Sequence, residues 1–144
     1  MTIFFGIGTN LGDREANLRR ALSYLDARVG ERLACSPVYR SAPQGFVSDN
    51  EFANIVALYH TNYSPEEVLH ITQAIEREMG RVQKSQHGIY HDRVIDIDLL
   101  QAMGDGVIRR ESKDLTLPHP KMRERDFVMI PLAEIEDQVM DNGE

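Results

Sequence analysis

Apolar positions along the chain recur with two periods, alternating in strands and helical elsewhere, and their order predicts the architecture. Residues 2–8, TIFFGIG, read as a first strand. A helix follows from Asp13, a suitable N-cap, with Leu18, Leu22, Leu25 and Val29 at helical spacing and Gly30 at its end. Residues 32–39 read as a second strand, which Pro37 assigns to a sheet edge or a bulge because proline lacks the N–H that a ladder needs. Residues 52–61, FANIVALYHT, form a third strand. The second helix has the clearest start signal: Ser64 as N-cap, Pro65 at the first helical position and Glu67 completing a capping box. Its apolar stripe is Val68, Ile71, Ile75 and Met79, and Gly80 closes it. Residues 94–103 are the fourth strand.

The order βαββαβ predicts an α+β fold of ferredoxin-like type, built on a mostly antiparallel sheet. A C-terminal hairpin from Gly106 to about Leu117 follows, then a short helical turn after Pro120. A strand near residues 127–130 and a turn of helix begun by Pro131 complete the expected extension. Gly8 and Gly12 are read as strand-to-helix turn residues. The connections over residues 40–51 and 81–92 are 12 residues each and poor in apolar side chains. Connections of that length in a compact domain are usually functional or disordered.

The chain has 144 residues, enough for one domain with a proper core, and residues 1–144 are read as a single domain. A net charge of −7 argues against broad binding to nucleic acid or an anionic membrane, which needs basic surface, but leaves room for a local basic pocket. Cys35 is the single cysteine, so no intrachain disulfide forms; its plain reading is a small strand residue, and a reducing compartment is consistent with it. The apolar start of the chain lacks the basic flank and cleavage site of a signal peptide, and residues 52–59 are too few to span a bilayer. The expected address is the cytoplasm.

Within RVIDIDLL, residues 93–100, Asp96 and Asp98 interrupt an apolar strand. Residues two apart on a strand share a face, with Cα atoms about 6.5–7 Å apart. Two carboxylates so placed can converge on one or two divalent cations, and magnesium suits such a site because it completes its shell with water and phosphate oxygens. The plainer alternative is two solvated acids on an open sheet face. Arg81, Lys84 and Arg93 stand nearby in sequence and could serve a phosphoryl-transfer site, while Arg81 could equally stabilise the C-terminal end of the second helix. GIGTNLG, residues 6–12, falls short of a dinucleotide fingerprint, since Leu11 stands where the last glycine belongs. His87, His91 and Asp92 read as solvated loop residues rather than a zinc site. His119 sits between two prolines, in a constrained backbone.

Taken together, these residues resemble the 6-hydroxymethyl-7,8-dihydropterin pyrophosphokinase family. The signature R-x-x-D-x-D is Arg93 to Asp98, and the likeness runs from residue 3 to about residue 136. It takes in GIGTNLGD near the start, SPVYRSAP at 36–43, Phe52-x-Asn54 and Gln73-x-x-Glu76 with Gly80-Arg81. It continues through LTLPHP at 115–120 and RDFVMIPLAEI at 125–135.

The resemblance implies transfer of pyrophosphate from MgATP to the pterin hydroxymethyl group, with release of AMP. It implies two Mg²⁺ ions on Asp96 and Asp98, with Arg81 and Arg93 neutralising phosphate charge. ATP would be lined by Gln73, Glu76, Arg81, Lys84, Leu99, Thr116, His119 and Arg125. Phe52 and Phe127 would sandwich the pterin ring, and Asn54 with Ser41, Ala42 and Gln44 would read its polar edge. The implied partners are these small molecules, with no nucleic acid and no membrane; the chain would be a monomer or weak homodimer.

The chain departs from the family pattern in places. Gln83 stands where many members have a second arginine, Tyr90-His91-Asp92 replaces Trp-Gly-Pro, and Phe52 stands where Tyr or Trp is common. Two other classes compete. A metal-dependent nucleotidyltransferase also uses D-x-D but carries Gly-Ser upstream, which residues 83–88 lack. A non-enzymatic nucleotide-binding module draws its support from Gln83 and residues 90–92.

Overall fold

The computed structural model describes residues 1–41, 51–80 and 94–142, with side chains described through residue 136. Strand β1 (Thr2–Thr9) lies at the centre of the main sheet, since its alternate residues Ile3, Phe5 and Ile7 are all buried. Asp13 caps α1 (Arg14–Arg28) by accepting the Ala16 N–H at 3.1 Å, as its sequence position predicts. The edge strand β2 (Gly30–Cys35) stops before Ser36-Pro37, and pairing resumes in β3 (Tyr39–Ser41). Ser36 fills the break: its N–H donates to the Val56 carbonyl and its Oγ accepts the Val56 N–H, each at 2.9 Å. The expected second strand is therefore two strands, with proline at the join.

Strand β4 (Phe52–Thr61) has the predicted bounds. So has the start of α2 (Pro65–Glu78), where Ser64 and Glu67 exchange both capping-box hydrogen bonds. β5 (Asp96–Met103) completes the core. The strand order is β2-β4-β1-β5-β6, with β3 also on β4 and every pairing antiparallel. The predicted hairpin appears as β6 (Val107–Ile108), which returns along β5, and as the separate pair β7 (Arg110–Glu111) and β8 (Thr116–Leu117). A turn of 3-10 helix at Met122–Glu124 follows Pro120, as expected.

The expectation fails at the C-terminal extension. Residues 127–130 are not a strand, and helix does not begin at Pro131: both lie within α3 (Asp126–Asn142), a long helix rather than a short one. The run FVMI is too short to separate strand from helix. Val128, Leu132 and Ile135 supply the helical spacing, and all three are buried. Pro131 has no N–H for the carbonyl four residues earlier, a tolerable loss here because the tertiary packing of this face holds the helix.

The sheet has a core on each side. Under α1 and α2 lie Ile3, Phe5, Ile7, Leu25, Val68, Ile75, Ile97 and Leu99. Under α3 lie Val56, Leu100, Met122, Val128, Leu132 and Ile135. The first core contains a polar arrangement at Tyr59. The buried Tyr59 donates to Asp26 Oδ1 at 2.6 Å and to the Leu22 carbonyl at 3.3 Å, and Asp26 pairs with Arg32 at 3.1 Å. Burial, and then the bond to Asp26, push the Tyr59 phenol well above its usual range. Glycine is required at Gly30, where a β-carbon would lie 2.0 Å from the His60 carbonyl oxygen. No helix among the described residues is long and apolar enough to cross a membrane.

Candidate active site

The site is built on the α3 side of the sheet, beyond the part that α3 covers. Cross-strand register defines two rows. Asn54, Gly8 and Asp96 are paired across β4, β1 and β5; Val56, Gly6 and Asp98 form the next row. Directly paired residues point to the same face, so both aspartates stand on the face carrying Asn54. The intervening Ile97 turns into the opposite core, as does Leu99. The shared face expected for Asp96 and Asp98 is present, and both are half-buried. Between the Asn54 and Asp96 columns the floor is two glycines of β1. Two inter-strand spacings make that interval about 10 Å wide.

Gly8 is thus a strand residue inside the site, not the turn residue expected from its spacing. Gly12 does take the turn role, with φ of 69°. The signal for Gly6 and Gly8 is present in the sequence: glycines two apart in an apolar strand leave one face bare.

The acidic strand is held from behind by α2. Glu76, only 4% exposed, turns its carboxylate inward and accepts the Ile97 N–H at 2.7 Å. This fixes the peptide between the two aspartates on the edge of β5 that β6 does not reach. From the α3 side, Arg125 approaches Asp98 at 3.7 Å, both side chains being about one-fifth exposed. Its guanidinium also lies 5.5 Å from the centre of the Phe127 ring, within cation–π range. The Arg125 carbonyl accepts the N–H groups of Val128 and Met129, so the same residue starts α3.

Across the glycine floor, Asn54 is oriented by β3. Its Nδ2 donates to the Tyr39 carbonyl at 3.1 Å and to Ser41 Oγ at 2.9 Å. Phe52 stands next on the same face of β4, and Phe127 packs at the edge of the α3 core. Register therefore brings Ser41, Phe52, Asn54, Asp96 and Asp98 to one face, with Arg125 and Phe127 beside it.

The other expected residues lie on several elements, and Gln73 and Leu99 belong to the α2 side of the sheet. Gln73 is half-buried on α2, and Thr116 is exposed on β8. The Leu99 side chain is in the core, so only its main chain is open to a ligand. His119 donates its N–H to the Leu100 carbonyl at 2.7 Å and accepts the Lys121 N–H on Nδ1 at 3.1 Å. It follows a cis Leu117–Pro118 bond. Ala42, Gln44, Arg81, Lys84 and Arg93 lie outside the described residues, as do Gln83 and the segment around His87 and His91.

Among the described residues no group of three or more His, Cys, Asp or Glu side chains could hold a metal ion. The aspartate pair offers oxygen ligands alone, a set suited to a hard cation that draws its remaining ligands from water and phosphate.

Comparison with known proteins identifies the family. Residues 4–137 match the family model of 7,8-dihydro-6-hydroxymethylpterin-pyrophosphokinase. The chain is 47% identical over 133 residues to a 2-amino-4-hydroxy-6-hydroxymethyldihydropteridine pyrophosphokinase of Porphyromonas gingivalis, covering 92% of this chain and 89% of that one. A Bacillus subtilis protein of the same name is 36% identical over 137 residues, covering 94% and 78%. In structure, the chain is similar to a crystallised HPPK-DHPS in complex with substrates, with a TM-score of 0.68 at 14% identity, covering 93% of this chain and 40% of that one. That likeness concerns the fold alone. The chain belongs to the 7,8-dihydro-6-hydroxymethylpterin-pyrophosphokinase family, ATP-dependent diphosphotransferases of folate biosynthesis.

Proposed function

We propose that the glycine-floored face between Asn54 and the Asp96–Asp98 pair is where pyrophosphate passes from MgATP to 6-hydroxymethyl-7,8-dihydropterin. The observation that carries this reading is the register, which sets a polar, aromatic-flanked recognition edge opposite two carboxylates across Gly6 and Gly8 of β1. The hydroxymethyl oxygen attacks the β-phosphorus, the bond from that phosphorus to the α–β bridging oxygen breaks, and AMP leaves. Phe52 and Phe127 stack on the pterin ring, while Asn54 and Ser41, with Ala42 and Gln44, read its edge.

Asp96 and Asp98 would hold two Mg²⁺ ions. When bound, the ions neutralise charge on the phosphate oxygens and align the triphosphate. Arg125 is already beside Asp98 and can turn its guanidinium to phosphate, and Arg81, Arg93 and Lys84 add cationic charge. Gln73, Thr116, His119 and the main chain of Leu99 line the nucleotide. Glu76, expected from resemblance to line the ATP site, also holds the Ile97 peptide of β5.

The strand order β2-β4-β1-β5 around two helices supports a ferredoxin-like core. The enzyme so read is cytoplasmic, monomeric or weakly dimeric, and without nucleic-acid or membrane partners.

The test is product analysis. The chain mixed with MgATP and the hydroxymethyl-dihydropterin should release AMP, and ADP as the nucleotide product refutes the reading. Asp96→Ala and Asp98→Ala should each abolish turnover in a folded protein, and a near-normal rate in either refutes the metal assignment.

A further inference from the structure

Gly8 lies in the middle of β1, where glycine weakens a strand by about 0.5–1 kcal/mol relative to alanine. Its backbone does not demand the residue, since its φ is outside the positive region occupied by Gly12, Gly30 and Gly80. The demand comes from the neighbouring strand. A β-carbon at Gly8 would stand 2.9 Å from Asn54 Oδ1 and 3.6 Å from Phe52 Cδ1.

Asn54 has little freedom to retreat, because it is buried and both of its amide hydrogens are committed to β3, at Tyr39 O and Ser41 Oγ. The Tyr39 carbonyl can only accept, so it fixes which end of the carboxamide faces β3. The other end, the acceptor Oδ1, leans over the space above Gly8.

We propose that Gly8 is a specificity-determining residue: the missing β-carbon lets Asn54 hold its Oδ1 over β1, where it accepts a hydrogen bond from an N–H donor on the edge of the heterocyclic substrate. This rests on the functional reading above and adds the polarity of the contact. Asn54 presents an acceptor, and Gly8 sets how far over the floor that acceptor reaches. A ring edge with an N–H at this point is selected over one with a lone pair, which would meet Oδ1 as a second acceptor and leave both buried and unpaired.

The experiment is a double-mutant cycle on the full chain with Gly8→Ala, Asn54→Ala and the pair. Gly8→Ala should raise KM for the pterin about tenfold or more, the worth of one well-placed hydrogen bond. Its affinity for a non-hydrolysable ATP analogue should stay within about twofold of wild type, a difference too small to represent a lost contact. In the Asn54→Ala background, Gly8→Ala should add little further, because the group it displaces is gone.

A melting-temperature arm covers the chance that Gly8→Ala folds poorly, since truncating Asn54 removes the obstructing oxygen and the double variant should recover the stability of Asn54→Ala. An unchanged pterin KM in Gly8→Ala, full additivity in the cycle, or a double variant as unstable as Gly8→Ala overturns the proposal. Wild-type protein that releases no AMP overturns the functional reading and the substrate assigned here, whereas the melting arm tests the Gly8–Asn54 coupling by itself.

Discussion

Glu76 gives the sharpest test of how the acidic strand is held. Its carboxylate sits at the interface of α2 and β5 and takes the Ile97 N–H at 2.7 Å, with Ile97 itself 1% exposed. Glu76→Leu keeps bulk but removes the acceptor, leaving a backbone donor buried without this partner. Hydrogen bonds to charged groups contribute about 1.5–3 kcal/mol, and an orphaned buried donor costs about 1–3 kcal/mol. These describe the same loss from two sides, so about 2–3 kcal/mol is the expected destabilisation. For a chain of this size each kcal/mol lowers the melting temperature by about 2–4 °C, giving a fall of about 4–12 °C. Glu76→Gln keeps an oxygen acceptor of similar reach and should lose about half as much, since a neutral bond is roughly half as strong as a charged one.

The functional consequence follows from position. Ile97 is the residue between Asp96 and Asp98, so a shifted peptide moves both carboxylates together. A displacement of about 1 Å at a reacting constellation can cost about 10²-fold in rate, and the Leu variant should show a loss of that order in AMP release while Gln retains most of the activity. Thermal denaturation and steady-state AMP release on the two variants decide the matter. A Leu variant that melts with wild type refutes the structural role. Gln losing as much activity as Leu means that the charge of Glu76, rather than its acceptor, serves the reaction.

Two further perturbations probe the scaffold. Gly30→Ala puts a methyl 2.0 Å from the His60 carbonyl oxygen, on a backbone that cannot yield as a side chain would. It should cost about 3 kcal/mol, and a urea midpoint equal to that of wild type refutes the close approach. Tyr59 tests pH dependence. Its phenol is raised by burial and by its bond to Asp26, whereas an unfolded tyrosine ionises near about 10. Above that pH the unfolded chain releases the proton and the folded one keeps it, so this contribution to stability is intact below about pH 10 and is lost as pH rises toward the folded value. Tyr59→Phe should remove that alkaline loss and, at neutral pH, cost about 1–2 kcal/mol for the missing hydrogen bond. Equal alkaline slopes in the two proteins would contradict the arrangement.

The legible parts of the fold were those with two coincident signals. Ser64, Pro65 and Glu67 announce α2 by capping chemistry and the apolar spacing of Val68 and Ile75 repeats the message. Strand β4 is bounded by changes of polarity at both ends. Residues 127–130 carry one signal only, a short apolar run, and their helical state is set by contacts of Val128, Leu132 and Ile135 with Val56 and Leu100, distant in sequence. The site divides in the same way. The D-x-D pair is visible because carboxylates in an apolar strand violate local expectation. Gly8 is visible with Gly6 as a glycine pair in an apolar strand, but its partner is not, because the register with Asn54 is encoded by no local pattern. Glu76 is visible as a helix residue, but its inward turn depends on where β5 docks.

Alternation also explains how two carboxylates come to stand side by side in this strand. At a separation of about 6.5–7 Å and an effective dielectric of about 20, their repulsion is about 2.5 kcal/mol, less where solvent reaches them. The strand cannot relieve it by sliding. A one-residue slip would bring Ile97 to the open face and drive both acids into the core beneath α1 and α2, at far greater cost. Turning the peptide is resisted by the Glu76 bond to Ile97, and Arg125 partly offsets the charge at Asp98. The repulsion is therefore retained, held by the buried alternate residues Ile95, Ile97 and Leu99. The hydrophobic half of RVIDIDLL is what keeps its acidic half on the open face: the side chains that cannot leave the core hold the carboxylates facing out, in register with the glycines of β1.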